Sequence, residues 1–232
     1  MYGGDAVIPY YLLRSSDFSP EKINKLSSGS QVGLERIQDD APYSLIQKKG
    51  LQNIIDFVEY DLVTETLKKE KGRAYGKPDI FQDFILIKED LLFFNKENKI
   101  LILSTSKDNF LKFVKRFEDN TSFNFERIPI NFKTIINDVL NLGTSGVWLG
   151  GLDSINLRAV GLMGNKIQDS NEYQMYIDSG AAVTNISFIY DFNGKQEKIM
   201  ISSEGGVNLY KPKPINEAID LVIDVYKKML LK

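Results

Sequence analysis

The stretch Val183-Thr184-Asn185-Ile186-Ser187-Phe188-Ile189-Tyr190-Asp191-Phe192 runs into Asn193-Gly194 and resumes as Gln196-Glu197-Lys198-Ile199-Met200-Ile201. Ile186, Phe188 and Tyr190 alternate with neighbours of other character, and Ile199 and Ile201 keep the same period. A period of two belongs to a strand with one buried face, because successive side chains point to opposite sides. Asn-Gly tolerates the positive φ angles of a two-residue turn, so the stretch reads as an antiparallel hairpin.

Working outward, Gly205-Gly206 leads into a further strand, Val207 to Tyr210. After Pro212 and Pro214 a terminal helix is predicted, with Asn216 as its cap and Ala218, Leu221, Val222, Val225 and Met229 inward. On the other side, Gly146 to Gly151 reads as a strand ending in a glycine turn, and Ile155 to Met163 as another strand. Ser170 to Asp178 fits a strand or a short helix equally. Asn131 can cap a helix with Phe132, Ile135, Ile136, Val139 and Leu140 on one side. Ser106 can cap another, Lys107 to Phe117, with Phe110, Leu111, Val114 and Phe117 as its buried stripe. Thr121 to Ile128 alternates as a strand. Ile80–Ile87, Leu91–Phe94 and Lys99–Leu103 form a meander through the short connections Lys88-Glu89-Asp90 and Asn95 to Asn98.

Between Ser44 and Lys71, Leu51, Ile54, Ile55, Val58, Leu62 and Leu67 recur at near-helical spacing, which predicts a long helix. Lys68, Lys69 and Lys71 would form its basic last turn and Gly72 its stop. The first 43 residues are the least regular, with a short strand from Val7 to Leu13. The sum is an α+β fold: a mainly antiparallel β-sheet with about four flanking α-helices. Composition divides the chain into an irregular segment with the long helix at 1–78 and an α+β body at 79–232, packed as one or two small domains.

Across its 232 residues the chain balances 29 Lys+Arg against 31 Asp+Glu for a formal charge of -2, and has no His and no Cys. Imidazole bases, thiol nucleophiles, His- or Cys-ligated metals and disulfides are thereby excluded. Carboxylates, lysines, hydroxyls and oxygen-ligated divalent ions remain. The near-neutral balance argues against a dedicated nucleic-acid binder. Met1 to Ala6 lacks the basic flank and apolar stretch of a signal peptide, and no apolar run reaches membrane-spanning length. Together with the missing cysteine, this predicts a cytoplasmic protein without a membrane association.

Several constellations invite chemistry. Pro78-Asp79 with Glu97-Asn98-Lys99 resembles the Pro-Asp…Asp/Glu-x-Lys motif of the metal-dependent nucleases named for it. The resemblance covers those few residues. It implies Asp79 and Glu97 holding a divalent ion such as Mg, with Lys99 orienting water, a site that needs no histidine. Turn charges in solvent explain the same residues without a ligand. Asp56, Glu59 and Glu65 would decorate an exposed helix face. Gly143-Thr144-Ser145-Gly146 lacks the lysine of a phosphate loop and leads into an apolar run. Gly161-Leu162-Met163-Gly164 follows a strand-like run and reads as a turn. Lys68, Lys69, Lys71, Arg73, Lys112, Lys115 and Arg116 would make a phosphate-binding patch if folding gathers them. Trp148 and Tyr210 are large enough to anchor a partner, and Arg158, set between Leu157 and Ala159, must reach solvent or an acceptor. The expectation is a non-catalytic protein–protein interaction protein, a regulator, inhibitor or accessory subunit. The alternative is a nucleic-acid-binding protein or metal-dependent nuclease.

Overall fold

The computed structural model describes residues 8–20, 25–27, 42–54, 56–73, 75–76, 80–128, 130–139, 144–152 and 156–230. In chain order its elements are β1 (Ile8–Arg14), β2 (Lys25–Ser27), β3 (Tyr43–Ile54), β4 (Phe57–Arg73), β5 (Ile80–Asn95), β6 (Ile100–Ser104), α1 (Lys107–Asn120) and β7 (Glu126–Arg127). They continue with α2 (Phe132–Val139), β8 (Thr144–Gly150), β9 (Ala159–Met163), α3 (Asn171–Asp178), β10 (Ala182–Phe192), β11 (Lys195–Ser202), β12 (Gly206–Leu209) and α4 (Ile215–Val225). The fold is α+β with antiparallel pairing. The chain forms two compact units, one from Met1–Leu13 with Arg127–Lys232 and one from Arg14–Glu126, the second an insertion in the sequence of the first. Position 78 lies inside the inserted unit's sequence.

In the terminal unit the strand order is β1-β12-β11-β10-β8-β9. The β10–β11 hairpin closes at Phe192↔Lys195, and Asn193 (φ 54) with Gly194 (φ 76) supplies the left-handed pair that the Asn-Gly turn predicts. Ile186, Phe188, Ile199, Ile201 and Val207 are buried on one face of this sheet. α4 covers that face. The Tyr190 hydroxyl of β10 donates to the Asp224 carboxylate of α4 at 2.7 Å. Lys213, just ahead of α4, joins Glu197 of β11 at 2.6 Å to Glu217 at 3.0 Å. The helix opens with Pro214 at its cap position, so Asn216 lies within its first turn and is not the cap. A proline costs nothing where the first N–H groups have no helical acceptor. Asn131 does cap α2, its side chain accepting from the Thr134 N–H at 3.2 Å. The ambiguous segment after Ser170 is helical: the Ser170 hydroxyl accepts from the Tyr173 N–H at 3.1 Å.

The inserted unit's strand order is β2-β3-β4-β5-β6. Its largest departure from expectation is the segment 44–71, which is no helix but the hairpin β3–β4, paired Ile54↔Phe57, Lys48↔Tyr60 and Ser44↔Thr64. Two strands meeting at a turn happen to place Leu51, Ile54, Ile55, Val58 and Leu62 at helical intervals. The deciding pattern is Tyr60, Leu62 and Thr64, all buried and two apart. Asp56 turns the corner at φ 65. Lys68, Lys69 and Gly72 are accordingly strand residues, not a helix end. β5 is also continuous where a break at Lys88-Glu89-Asp90 was expected. Buried Asp90 accepts from Asn109 Nδ2 at 3.0 Å and lies 3.5 Å from Lys88, so its charge is satisfied in mid-strand. Of the expected strand 121–128, Glu126–Arg127 alone is strand, although Phe123 and Phe125 are buried. Ser106 precedes α1 as expected but makes no side-chain cap bond, and its hydroxyl accepts from Lys88 at 3.4 Å. Phe18 sets the core of this unit, edge-on to Phe94 at 5.2 Å and Phe123 at 5.3 Å.

Candidate interaction surfaces

In the inserted unit, β3 accompanies β4 as far as Ser44↔Thr64, and β6 accompanies β5 from Leu91 onward. Beyond those limits, among the described residues, β4 from Glu65 pairs with β5 alone, through Glu65↔Ile87, Thr66↔Leu86 and Leu67↔Ile85. The result is a two-stranded ribbon, about 25 Å long from Thr66 to Arg73 at roughly 3.3 Å per residue. Leu67 (46%), Leu86 (46%) and Ile87 (58%) are exposed on it, as is Ile85. Leu86 points to the opposite face from Ile85 and Ile87, since strand side chains alternate. Tyr75 is fully exposed in the turn at its end. Such a ribbon has no core of its own, and it displays large aliphatics on both faces.

In the terminal unit, the sheet face turned away from α4 carries both aromatics singled out by sequence. Ser187 lies between Gly146 and Met200 in register, and its hydroxyl is 3.0 Å from that of Ser145. A Cβ built on Gly146 would meet Ser187 Oγ at 2.8 Å and Met163 Sδ and Trp148 Cη2 at 3.1 Å, so three side chains converge over that glycine. Beyond Met200, the Tyr210 hydroxyl lies 3.8 Å from its sulfur and the Lys198 ammonium sits 4.7 Å above the Tyr210 ring. Burial raises the Tyr210 phenol above its ordinary value, opposed by a hydrogen bond with Ser187. Trp148 and Tyr210 are half-buried, and Met163 is 64% exposed. Arg158 is exposed in a bend ahead of β9, not inside an apolar strand, and reaches solvent directly.

The remaining sequence candidates are scattered. Asp79 lies outside the described residues. Glu97 is exposed in the turn between β5 and β6, and Lys99, at φ 56 in the same turn, has its carbonyl accepting from the Ser15 N–H at 3.0 Å. Among the described residues, no group of three carboxylates is placed to hold a metal ion, Mg included. The segment 144–150 is strand β8, so its glycines form no phosphate loop, and Gly161–Met163, which reads as a turn in sequence, belongs to strand β9. Lys68 and Lys69 sit on the ribbon, and Lys71 and Arg73 belong to the outer end of the same strand. Lys112 and Lys115 are exposed on α1. Arg116 is spent on the fold, donating to Ser44 Oγ at 2.6 Å and to the Glu65 carbonyl at 3.3 Å. Burial lowers its pKa, against the pull of Glu65. Glu59 and Glu65 are buried strand residues, the former 3.4 Å from Lys49.

Sequence reading missed two features. The all-apolar run Phe84 to Ile87 signals a strand buried on both faces, yet the structure leaves it on the ribbon. A cleft of about 570 Å³ also opens between α2, α3 and β10, floored by Phe132, Ile136, Ile177 and Val183. Beside it Thr144 accepts from the Ile167 N–H at 3.1 Å and bonds the Gln168 side-chain oxygen. No linear motif reports either feature: the cleft brings α2 to the later α3 and β10, and the exposure of the ribbon depends on where β3 and β6 stop. Among the described residues no helix is long and apolar enough to cross a membrane. No protein-family model and no curated protein matches the sequence.

Proposed function

We propose that this chain is a non-catalytic cytoplasmic protein that acts by binding another protein, as a regulator, inhibitor or accessory subunit. The observation that carries the reading is the ribbon: Leu67, Ile85, Leu86 and Ile87 stand exposed on two strands with no third strand among the described residues. Exposed aliphatics on an otherwise well-satisfied protein are the signature of a contact surface. The face bearing Trp148 and Tyr210 offers a second anchor of the aromatic kind that dominates interface energies.

The test is site-directed photo-cross-linking in the cells that make the protein, with the probe at position 86 or 87 of the ribbon and a control probe at exposed Lys228 after α4. The reading predicts one defined protein adduct from the ribbon positions and none of that mass from the control. Adducts of nucleic acid, or the same adducts from both positions, contradict it. Nucleic-acid binding is the second reading, favoured by Lys68 and Lys69 on the ribbon. Its signature is affinity that falls steeply with salt.

A further inference from the structure

We infer that the outer edge of β9 is a self-pairing surface: two copies of this chain join antiparallel along Ala159–Met163, with Gly161 on the twofold axis.

The backbone geometry comes first. Among the described residues β9 is the last strand in the terminal unit's order, paired with β8 through Gly146↔Met163, Trp148↔Gly161 and Gly150↔Ala159. The Gly164 N–H donates to the Ser145 carbonyl at 3.4 Å, so residues 145 and 164 form a hydrogen-bonded pair. Such pairs alternate along an antiparallel ladder. Leu162 and Val160 therefore turn their N–H and C=O groups toward β8. Ala159, Gly161 and Met163 turn theirs outward, to the open edge.

Soluble proteins blunt open edges with lysine, proline, a bulge or an inward charge. β9 has none of these: from Ala159 to Asn165 the chain carries no charge and no proline, and its register with β8 is unbroken. The edge is also self-complementary. A twofold at Gly161 sets each outward residue against an outward residue, Gly161 on Gly161 and Ala159 on Met163, so all the outward groups find partners. Small Ala159 meets large Met163, and Arg158 falls opposite Gly164, so no like charges face each other across the axis. This register sets small against large, puts no charge opposite another and uses every outward N–H and C=O of the segment, and that self-match favours a second copy over an unrelated strand. A Cβ on Gly161 would lie 3.3 Å from Trp148 Nε1, so each indole lies across its own glycine beside the axis. The contact is short, and association in the range of about 10 µM fits an interface below the standard size.

This inference stands apart from the ribbon reading: substitution of Ile87 leaves self-association intact, and substitution of Met163 leaves cross-linking from the ribbon intact. The test is sedimentation of the full chain over a concentration series, with Trp148 emission followed in parallel, since it is the sole tryptophan. The expected result is a monomer–dimer equilibrium, with emission moving to shorter wavelength as the dimer fills. Met163→Lys puts a charge on the exposed edge, and Ala159→Pro removes an outward N–H without touching a bond to β8. Each is expected to weaken dimerisation about tenfold or more. Should the proline variant fail to fold, the lysine variant at its exposed position decides alone. A wild-type chain that stays monomeric at about 100 µM overturns the inference. So does a dimer that both variants leave unchanged, or an edge that a different protein occupies while the chain alone remains monomeric.

Discussion

Lys213 shows how the ionisable groups of this chain are used. Burial works against its ammonium, but hydrogen bonds to Glu197 and Glu217 outweigh that and raise its pKa, while Lys213 in turn holds the Glu217 carboxyl below its ordinary value. These ion pairs tie β11 to the start of α4. Tyr190 follows the same logic. Burial first, and then its bond to Asp224, hold the phenol well above its ordinary value of 10.0. An unfolded chain begins to release that proton near pH 10 while the folded chain keeps it, so the contribution to stability is full below that pH and declines above it. Tyr190→Phe should therefore cost about 1.5 kcal/mol at neutral pH, the worth of a hydrogen bond to a charged acceptor. Asp224 keeps Lys228 at 2.9 Å, so the variant leaves no orphaned charge. Denaturant unfolding between pH 7 and 11 checks this: the gap between the two proteins should narrow above pH 10, and a constant gap contradicts the assignment.

Elements were legible wherever local chemistry and tertiary pairing agreed. The Asn193-Gly194 hairpin, α1, α2 with its Asn131 cap, and the buried stripe of α4 all follow from turn chemistry and periodicity, and the α+β class follows from their order. The β3–β4 hairpin was not legible, because Asp56 occupies a left-handed position that glycine or asparagine ordinarily announces. The two readings make opposite demands on that residue. In a helix interior, glycine is worse than alanine by about 1 kcal/mol. In a turn at positive φ, glycine is better by a similar amount. Comparing Asp56→Gly with Asp56→Ala by thermal unfolding should find the glycine variant the more stable. A more stable alanine variant would restore the helix.

At the scale of the whole molecule, the sequence located reactive residue types but not surfaces. Trp148 and Tyr210 were found as large aromatics, and that they share one sheet face is a fact of register between β8, β10, β11 and β12 that no single segment records. The basic residues were found too, but Arg116 turned out to hold β3 and β4 together. The ribbon went unrecognised because an apolar run normally means burial, and its exposure is visible only once β3 and β6 are seen to stop short of it. The central claim, that this exposed apolar surface is what the protein works with, has a direct test in the isolated chain. The measurement is the unfolding free energy of Leu86→Lys and Ile87→Lys, taken separately. Ile87 pairs with Glu65 and Leu86 with Thr66, so neither lysine meets a like charge directly across the ribbon. Each variant should remain within about 0.5 kcal/mol of the parent, as surface positions do. A loss of about 2 kcal/mol or more in either would show that these side chains belong to a core and are not displayed for a partner.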